Sequence, residues 1–209
     1  MTNKFTQAMA FRHACKTFDA SKKISDEQIN YILEAGRTSP SSFGMEAWKF
    51  LVVMNEELKE KIKPLCWNQP QITTCSHLVI VLAGIENAKP SSGEVEKRFA
   101  RRPMDKEALE SYMGMYSGHL AETLSSDKNI YEWTARQAYI AAGNMMTAAA
   151  YEGIDSCPIE GFEKENLEKL LDLDTSKYQV AMLLPFGYRI NEQSTQLRLD
   201  FDEVVEFVI

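Results

Sequence analysis

The segment 131–151 constrains the fold more than any other part of this 209-residue chain. It contains no proline and one interior glycine, and small or apolar residues occupy nearly every face of the helix that it would form. A helix that is apolar all round is buried rather than laid on a surface. The segment therefore predicts a central buried helix, which Gly153 is placed to end in a left-handed cap.

Three apolar runs predict strands that pack around this helix. Residues 78–83 read LVIVLA, a continuous run typical of a strand that is buried on both faces. Residues 178–186 form a similar run, and residues 48–54 form a third. No internal repeat or low-complexity linker interrupts the chain. We predict one α+β domain over residues 1–209, in which about five helices surround a mixed sheet.

The other helices are predicted from capping and periodicity. Ser25 and Gln28 have the spacing of a capping box, and Ile29, Ile32 and Leu33 follow at helical spacing, which predicts a helix over residues 26–37. A polar loop follows at residues 38–44. Further helices are predicted over residues 56–63, an exposed helix that Pro64 stops, over 106–120 and over 162–171.

Two segments are predicted to lie outside the core of the domain. Residues 86–106 are polar and include a basic cluster at residues 97–102, so we expect a mobile surface insertion. The C-terminal residues 204–209 are strand-like and apolar to the last residue. Because an exposed apolar edge invites pairing, this tail is expected to add to a sheet, either its own or a partner's.

Charge and composition exclude several classes of function. The net charge of −7 disfavours a general nucleic-acid or anionic-membrane surface. The longest aliphatic run, residues 78–83, is far short of the roughly 20 residues of a membrane span. The N-terminal sequence has no secretory pattern, which makes the cytoplasm the expected compartment. The four cysteines are widely spaced and are interpreted as reduced thiols, and the three histidines are each isolated from another ligand, so no metal site is expected.

Candidate chemistry is limited to scattered cations and one hydroxyl-rich loop. Arg12 and Lys16 would share one face of a helical turn and suit a phosphate, although a solvated basic face explains them as well. The loop at Pro40, Ser41 and Ser42 offers hydroxyl and N–H groups to an anion, or is an ordinary turn. Arg198 is a third cation, or a surface arginine. Motifs for a serine nucleophile, a zinc protease, a Rossmann fold and a P-loop are all missing, so the residues alone support only a weak cofactor-binding hypothesis.

Five collinear segments resemble the nitroreductase family of flavoproteins. They are FRHACKTFD from Phe11, SPSSFGMEAWKFLVV from Ser39, QAYIAAGNMMTAA from Gln137, GIDSCPIEGF from Gly153 and QLRLDFDEVV from Gln196. The segments come in the order and spacing of the family over essentially the whole chain. Within the family, the sequence is similar to the oxygen-insensitive NAD(P)H nitroreductases, and its first motif also to members linked to metronidazole activation.

The resemblance implies an assembly as well as a fold. Members of the family are domain-exchanged homodimers, in which a mixed sheet is flanked by helices and C-terminal tails embrace the partner. Two FMN molecules lie in clefts that both chains line. The tail at residues 198–209 would then reach the partner subunit, and the alanine-rich helix would lie in the dimer core.

The resemblance also implies which residues bind FMN. Arg12 and Arg198 fall where the family contacts the phosphate, Lys16 falls at the pyrimidine edge and ribityl chain, and His13 and Ala14 lie between them. The partner chain would lay Pro40, Ser41, Ser42 and Gly44 on the cofactor. The remaining matched positions are Asn68 and Gln71 at the ring, the Ile159, Glu160 and Gly161 turn near N5, and Gln196 beside the phosphate arginine. The flavin carries the electron chemistry, so no catalytic side chain is assigned.

The sequence departs from the family pattern at several of these positions. Ala14 replaces a serine, Gly44 and Glu46-Ala47 replace an Asn and a Gln-Pro, and Gln71 and Gln196 stand where relatives often have lysines. Fewer cations imply weaker FMN retention and a less stabilised reduced flavin, by about 1 kcal/mol for each lost contact.

The resemblance implies an oxidoreductase that passes electrons from NAD(P)H to nitroaromatic, quinone or similar small-molecule acceptors in a two-step exchange. The alternative is a flavin-binding or flavin-trafficking module with little turnover, because binding and turnover are separate properties. The region 86–120 is expected to govern access of the acceptor. Within it, Arg98, Arg101 and Arg102 would either meet a 2′-phosphate of NADPH or form a solvated charge run, the latter being favoured.

Overall fold

The computed structural model describes residues 3–209, so the first two residues of the predicted domain lie outside the described residues. The helices are α1 (Lys4–Phe11), α2 (Asp26–Arg37), α3 (Glu56–Leu65), α4 (Gln71–Thr74), α5 (Glu94–Phe99), α6 (Lys106–Thr123), α7 (Asp127–Tyr151), α8 (Lys164–Leu170) and α9 (Phe201–Val204). The strands are β1 (Trp48–Val53), β2 (His77–Gly84), β3 (Asp155–Ser156) and β4 (Tyr178–Gly187).

The sheet has the order β1-β2-β4-β3, and all three strand pairings are antiparallel. Over the described residues, the parallel part of the predicted mixed sheet is a single bridge between Ala14 and Ser156. The predicted α+β class is confirmed, with helices on both faces of the sheet. No helix of the described chain combines the length and the apolar character that crossing a membrane requires.

The two central strands separate two apolar layers. Along β2, Leu78, Ile80 and Leu82 pack toward α3 and α8, whereas Val79 and Val81 pack toward α2 and α7. This alternation follows from the two-residue period of a strand. Every residue of β2 is buried, as the continuous apolar run predicted.

Helix α7 is the central helix that the alanine-rich segment predicted. It begins four residues earlier than expected because the Ser126 hydroxyl accepts a hydrogen bond from Asn129 N and caps the first turn. It ends at Tyr151, and Gly153, just beyond the C-cap residue Glu152, has the predicted left-handed φ of 67°. The close approach of α2 depends on Gly36, where a Cβ atom would lie 2.8 Å from Met145 Cγ. One face of α7 nevertheless leaves Tyr139 and Ile140 exposed, so the burial is not complete.

Two predicted helices have the expected cores and different ends. Helix α2 matches its predicted bounds, and both hydrogen bonds of the capping box are present. Helix α3 continues through Pro64 to Leu65, so the prediction that Pro64 stops it is wrong by two residues. Pro64 has no N–H to donate and its ring crowds the carbonyl one turn earlier, and the helix ends one residue after it. Helix α3 is also not merely exposed, because Lys59 and Ile62 are buried.

The segment that was expected to be a mobile insertion is packed. Residues 86–92 form two short 3₁₀ turns, and α5 and α6 follow. Val95, Phe99 and Tyr116 are fully buried in a third apolar cluster with Trp133 of α7. The sequence did not predict this cluster, because each helical turn contributes only one or two apolar residues to it. Those residues come together only when α5 packs on α6.

The C-terminal tail does not form the predicted strand. Its residues make the short helix α9 and then an extended end that pairs with no strand of the described chain. Phe207 and Val208 are 75% and 93% exposed.

Substitution of Phe99 tests whether residues 86–123 belong to the cooperative core. Phe99→Ala should lower the free energy of unfolding by about 3–5 kcal/mol, the range for emptying a buried aromatic site. Met115→Ala, at an exposed position of α6, is the control and should change it by less than about 1 kcal/mol. Urea denaturation measures both, and an unchanged stability of the Phe99 variant would place the segment outside the core.

Candidate functional site

The candidate site is built on the extended segment that follows α1. Residues 12–16 do not form the helical turn that would bring Arg12 and Lys16 onto one face, because α1 ends at Phe11 and Arg12 already has extended dihedral angles. Ala14 then bridges to Ser156 of β3, and Cys15 N donates to Ser156 O at 3.1 Å. Sheet pairing therefore outweighs the local charge pattern, and the segment lies along the edge of the sheet.

Arg12 and Arg198 face the same cleft although they are at opposite ends of the chain. The cleft has a volume of about 420 Å³. Its lining consists of Arg12, His13, Ala14, Pro158, Ser194, Thr195, Gln196, Leu197 and Arg198. Two guanidinium groups and several hydroxyl and amide groups suit an anion such as a phosphate.

Three side chains from the segment after β4 cap the end of α1. The Gln196 amide donates to the carbonyls of Met9 and Ala10 at 3.1 Å and to that of Arg12. Gln193 donates to Ala10 O at 2.9 Å, and Arg189 donates to Phe11 O at 3.2 Å. Because the last carbonyls of a helix have no partner within it, these donors complete the helix and fix the start of the Arg12 segment.

An ionic cluster lies directly behind this segment. Arg189 donates to Asp155 through its side chain at 2.8 Å, and the Asp155 carboxylate also lies 3.6 Å from His13 Nδ1. His13, Cys15 and Asp155 bring three ligand-type atoms within 4.8 Å of one another, so the expectation that His13 is isolated is wrong. Arg189 already neutralises the carboxylate, and burial raises the pKa of the Cys15 thiol to about 11. The cluster therefore acts as an ion pair that anchors the segment.

Lys16 and Gln71 meet at one sulfur atom. Lys16 Nζ and Gln71 Nε2 each lie 3.7 Å from Cys157 Sγ. Gln71 is 1% exposed and also donates to Gln69 Oε1 at 2.9 Å, while its own Oε1 has no hydrogen-bond partner among the described residues. Burial raises the pKa of the Cys157 thiol, with Lys16 acting in the opposite direction. The interior of the site thus holds a neutral thiol beside a lysine and an unpaired amide oxygen.

The turn that contains Ile159, Glu160 and Gly161 joins this network. Gln69 donates to Gly161 O at 3.0 Å. Gly161 approaches Trp67 so closely that a Cβ atom would lie 2.5 Å from the ring. Asn68, next to Trp67, is exposed and has a positive φ of 55°. Gln71 and the turn are therefore linked through Gln69, and Asn68 lies in the same stretch of chain.

A second cleft, of about 420 Å³, lies beside α7, and Tyr139, one of its lining residues, contacts Glu160. The Tyr139 hydroxyl donates to Glu160 Oε1 at 2.9 Å, and burial and the nearby carboxylate raise the pKa of that tyrosine. Tyr131 and Arg136 also line this cleft. Three residues of the site, Tyr139, Asp155 and Arg189, were not predicted from the sequence. No local motif marks Asp155 or Arg189, which meet only because β3 pairs with β4.

The loop with Pro40, Ser41, Ser42 and Gly44 lies apart from the arginine cleft. Over residues 3–209, none of these four residues lines that cleft. The loop is held instead by α7, because Ser42 N donates to Gln137 Oε1 at 2.9 Å. Within one chain, the residues after α1, the residues near the C-terminus and the Glu160 turn lie at the same edge of the sheet. The loop lies away from that edge.

The basic residues of α5 and the turn after it contact this loop. Arg98, Arg101 and Arg102 each donate to groups of residues 43–46. The favoured interpretation as a solvated charge run is wrong for Arg98 and Arg102, which are partly buried and donate within the chain, whereas Arg101 is exposed. Lys97 is exposed and pairs with Glu94 alone on α5.

The fold and the site together define a class: α+β proteins in which an arginine-lined cleft, suited to a phosphate-bearing ligand, lies at the edge of an antiparallel sheet covered by helices on both faces. The profile of the nitroreductase family matches residues 9–188. The chain belongs to the nitroreductase family.

Individual proteins agree with this assignment. A Bacillus subtilis protein provisionally named NAD(P)H nitroreductase YfkO is 38% identical over 223 residues, covering 100% of this chain and 99% of the relative. A Haemophilus influenzae protein, also provisionally named NAD(P)H nitroreductase, is 40% identical, covering 94% of this chain and 93% of the relative. The crystal structure of an Exiguobacterium sibiricum protein, provisionally named a nitroreductase and in complex with FMN, has a TM-score of 0.83 at 23% identity, covering 97% and 96% of the two chains.

Proposed function

We propose that this protein is an FMN-dependent oxidoreductase that passes electrons from NAD(P)H to nitroaromatic, quinone or similar acceptors. The observation that carries the proposal is the convergence of Arg12 and Arg198 on one cleft, with Lys16 and the Glu160 turn on the same edge of the sheet. The names of the relatives and the FMN complex of the Exiguobacterium protein support the choice of donor and cofactor.

The residues present fit FMN. The guanidinium groups of Arg12 and Arg198 would hold the phosphate, since an arginine can donate two parallel hydrogen bonds to it. His13 and Ala14 line the same cleft. Gln196 would lie beside the phosphate, because its amide is already bonded to the backbone at the end of α1. FMN, when bound, supplies the electron transfer between donor and acceptor.

The polar groups around Cys157 fit the pyrimidine side of a flavin ring. Lys16 supplies a positive charge that would favour the reduced, anionic flavin. The unpaired Gln71 Oε1 is an acceptor suited to a ring N–H, and an unpaired buried acceptor carries a free-energy cost until it finds a donor. Asn68 would complete the ring contacts from the neighbouring turn.

The residues of the 159–161 turn have two different roles. Ile159 exchanges both backbone hydrogen bonds with Leu183 at 2.9 and 3.0 Å and is buried, so it fixes the turn to the sheet. Glu160 and Gly161, which are more accessible, would then face N5 of the ring. We assign no side chain as acid or base.

The position of the loop and the exposed apolar surface favour a homodimer. The Pro40, Ser41, Ser42 and Gly44 loop is separate from the cleft of its own chain and would reach the cleft of the partner. Tyr139 and Ile140 on α7 and the tail at residues 198–209 expose apolar surface of the kind that a partner covers. The four cysteines are free and buried, which agrees with a cytoplasmic location.

The proposed activity is tested by the colour of the purified protein and by its reduction. An absorbance spectrum should show bound FMN, and anaerobic NADPH or NADH should bleach the flavin band until a nitroaromatic or quinone restores it. A yellow protein that neither cofactor bleaches would be a flavin-binding module without turnover. A protein that neither purifies with FMN nor binds it on addition would contradict the proposal.

Removal of either phosphate arginine should weaken FMN binding. We expect Arg12→Ala and Arg198→Ala each to cost about 1.5–3 kcal/mol, or about 10- to 150-fold in Kd, the range for a hydrogen bond to a charged group. Arg37→Ala removes an exposed arginine that pairs with Glu34 on α2 and serves as the matched control. Fluorescence titration of the apo variants gives the Kd values, and wild-type affinity in both cleft variants would refute the phosphate assignment.

The homodimer is expected to depend on the apolar tail. Deletion of residues 204–209 should lower the dimer fraction or cause aggregation, because it removes the exposed Phe207 and Val208 side chains. Asp202→Ser, on the polar part of the same tail, is the control. Sedimentation velocity measures the oligomeric state, and a stable dimer after the deletion would count against the role of the tail.

A further inference from the structure

Three arginines hold four consecutive residues of the loop that follows Ser42. Arg102 donates to Phe43 O at 2.6 Å, Arg98 donates to Met45 O, and Arg101 donates to Gly44 O at 3.4 Å. Arg101 also makes a two-point contact with the Glu46 carboxylate, at 3.1 Å for each N–O pair. We call Arg98, Arg101 and Arg102 the arginine clamp. Every residue from 43 to 46 therefore has a partner in the clamp.

The clamped backbone is strained. Phe43, Gly44 and Glu46 have φ values of 55°, 57° and 47°. Residues with a side chain disfavour this left-handed region, so Phe43 and Glu46 remain there only if surrounding contacts hold them. The clamp supplies those contacts through the carbonyl of one residue and the carboxylate of the other. Strain that contacts of this kind maintain is concentrated at ligand-binding segments.

Gly44 and the Arg102 side chain are in steric contact. A Cβ atom at position 44 would lie 2.5 Å from Arg102 Nη2. The guanidinium also lies 5.2 Å from the ring centroids of both Phe99 and Tyr112. A side chain at position 44 would therefore have to displace Arg102 from these rings and from Phe43 O. The left-handed φ of 57° adds to the preference for glycine at this position.

The loop has a second anchor on the other side. Ser42 N donates to Gln137 of α7, and the Ser41 hydroxyl accepts from Glu46 N at 2.8 Å. Ser41 and Ser42 are thus held between α7 and the clamped residues. Because Arg98 belongs to α5 and Arg102 packs on α6, the clamp ties the region 86–123 to this loop.

We propose that Arg98, Arg101 and Arg102 are positioning residues that hold Ser41 and Ser42 in the conformation that meets the flavin, with Gly44 and Arg102 as a coupled pair. The proposal rests on the proposed function for the identity of the ligand. The clamp does not touch the flavin itself, and its effect passes through the backbone of residues 43–46. Region 86–123 then influences cofactor binding as well as acceptor access.

Hydrogen exchange and FMN titration together test the clamp. In Arg101→Ala and Arg102→Ala, backbone amides of residues 41–47 should exchange at least about tenfold faster than in the wild type, and the FMN Kd should rise roughly tenfold. Lys97→Ala is the matched control, because Lys97 is exposed on α5 and pairs with Glu94. It should change neither quantity. Wild-type exchange and affinity in both clamp variants would overturn the proposal.

Paired variants separate positioning from general damage to the fold. Glu46→Arg and Arg101→Glu should each weaken FMN binding, and the double exchange should recover much of the affinity by restoring the ion pair in reverse. Gly44→Ala should be harmful beside Arg102 and much less so in Gly44→Ala/Arg102→Ala, a non-additivity that independent sites do not show. Absence of rescue and additive effects at 44 and 102 would each contradict the clamp.

Failure of the clamp and failure of the proposed function give different results. If the wild type binds no FMN, the proposed function fails, while loop exchange in Arg102→Ala still reports on the arginine contacts. If the wild type binds FMN and the clamp variants bind it equally well, the function stands and the clamp proposal falls.

Discussion

The antiparallel pairing of β2 with β4 is the constraint on which the rest of the structure depends. Every residue of β2 and nearly all of β4 is buried, so their backbone groups must find hydrogen bonds within the sheet. The two strands therefore lie in the middle of the sheet, and helices cover both faces. Ala181 is an extra residue in β4, and this bulge shifts the register of β4 against β2 between Val81 and Leu82.

The candidate site lies at the β3 edge of the sheet, next to this central pair of strands. Strand β3 joins β4, the segment after α1 joins β3 through Ala14, and the residues after β4 return to cap α1. Arg12 and Arg198 are near each other as a consequence of these three steps. Asp155 and Arg189 serve the same end, since their ion pair ties the β3 edge to the segment that leads out of β4.

A different kind of constraint shapes the loop from residue 41 to residue 46. Its backbone adopts a conformation that side chains disfavour, and arginine contacts rather than apolar burial hold it there. This arrangement links the region 86–123 to a loop that is expected to lie at the cofactor. The same contacts give the basic residues of a chain with a net charge of −7 partners within the chain itself.

Periodicity and capping in the sequence determined α2, α7 and the three long strands, because their burial and end signals are local. The collinear motifs also determined the family, and with it the phosphate arginines as candidates. Only the tertiary structure decided that residues 12–16 are extended, that residues 86–123 are packed, and that Arg98, Arg101 and Arg102 face the loop. Such features depend on contacts between residues far apart in the chain, whose pairing energies outweigh local propensity and leave no periodic trace in the sequence.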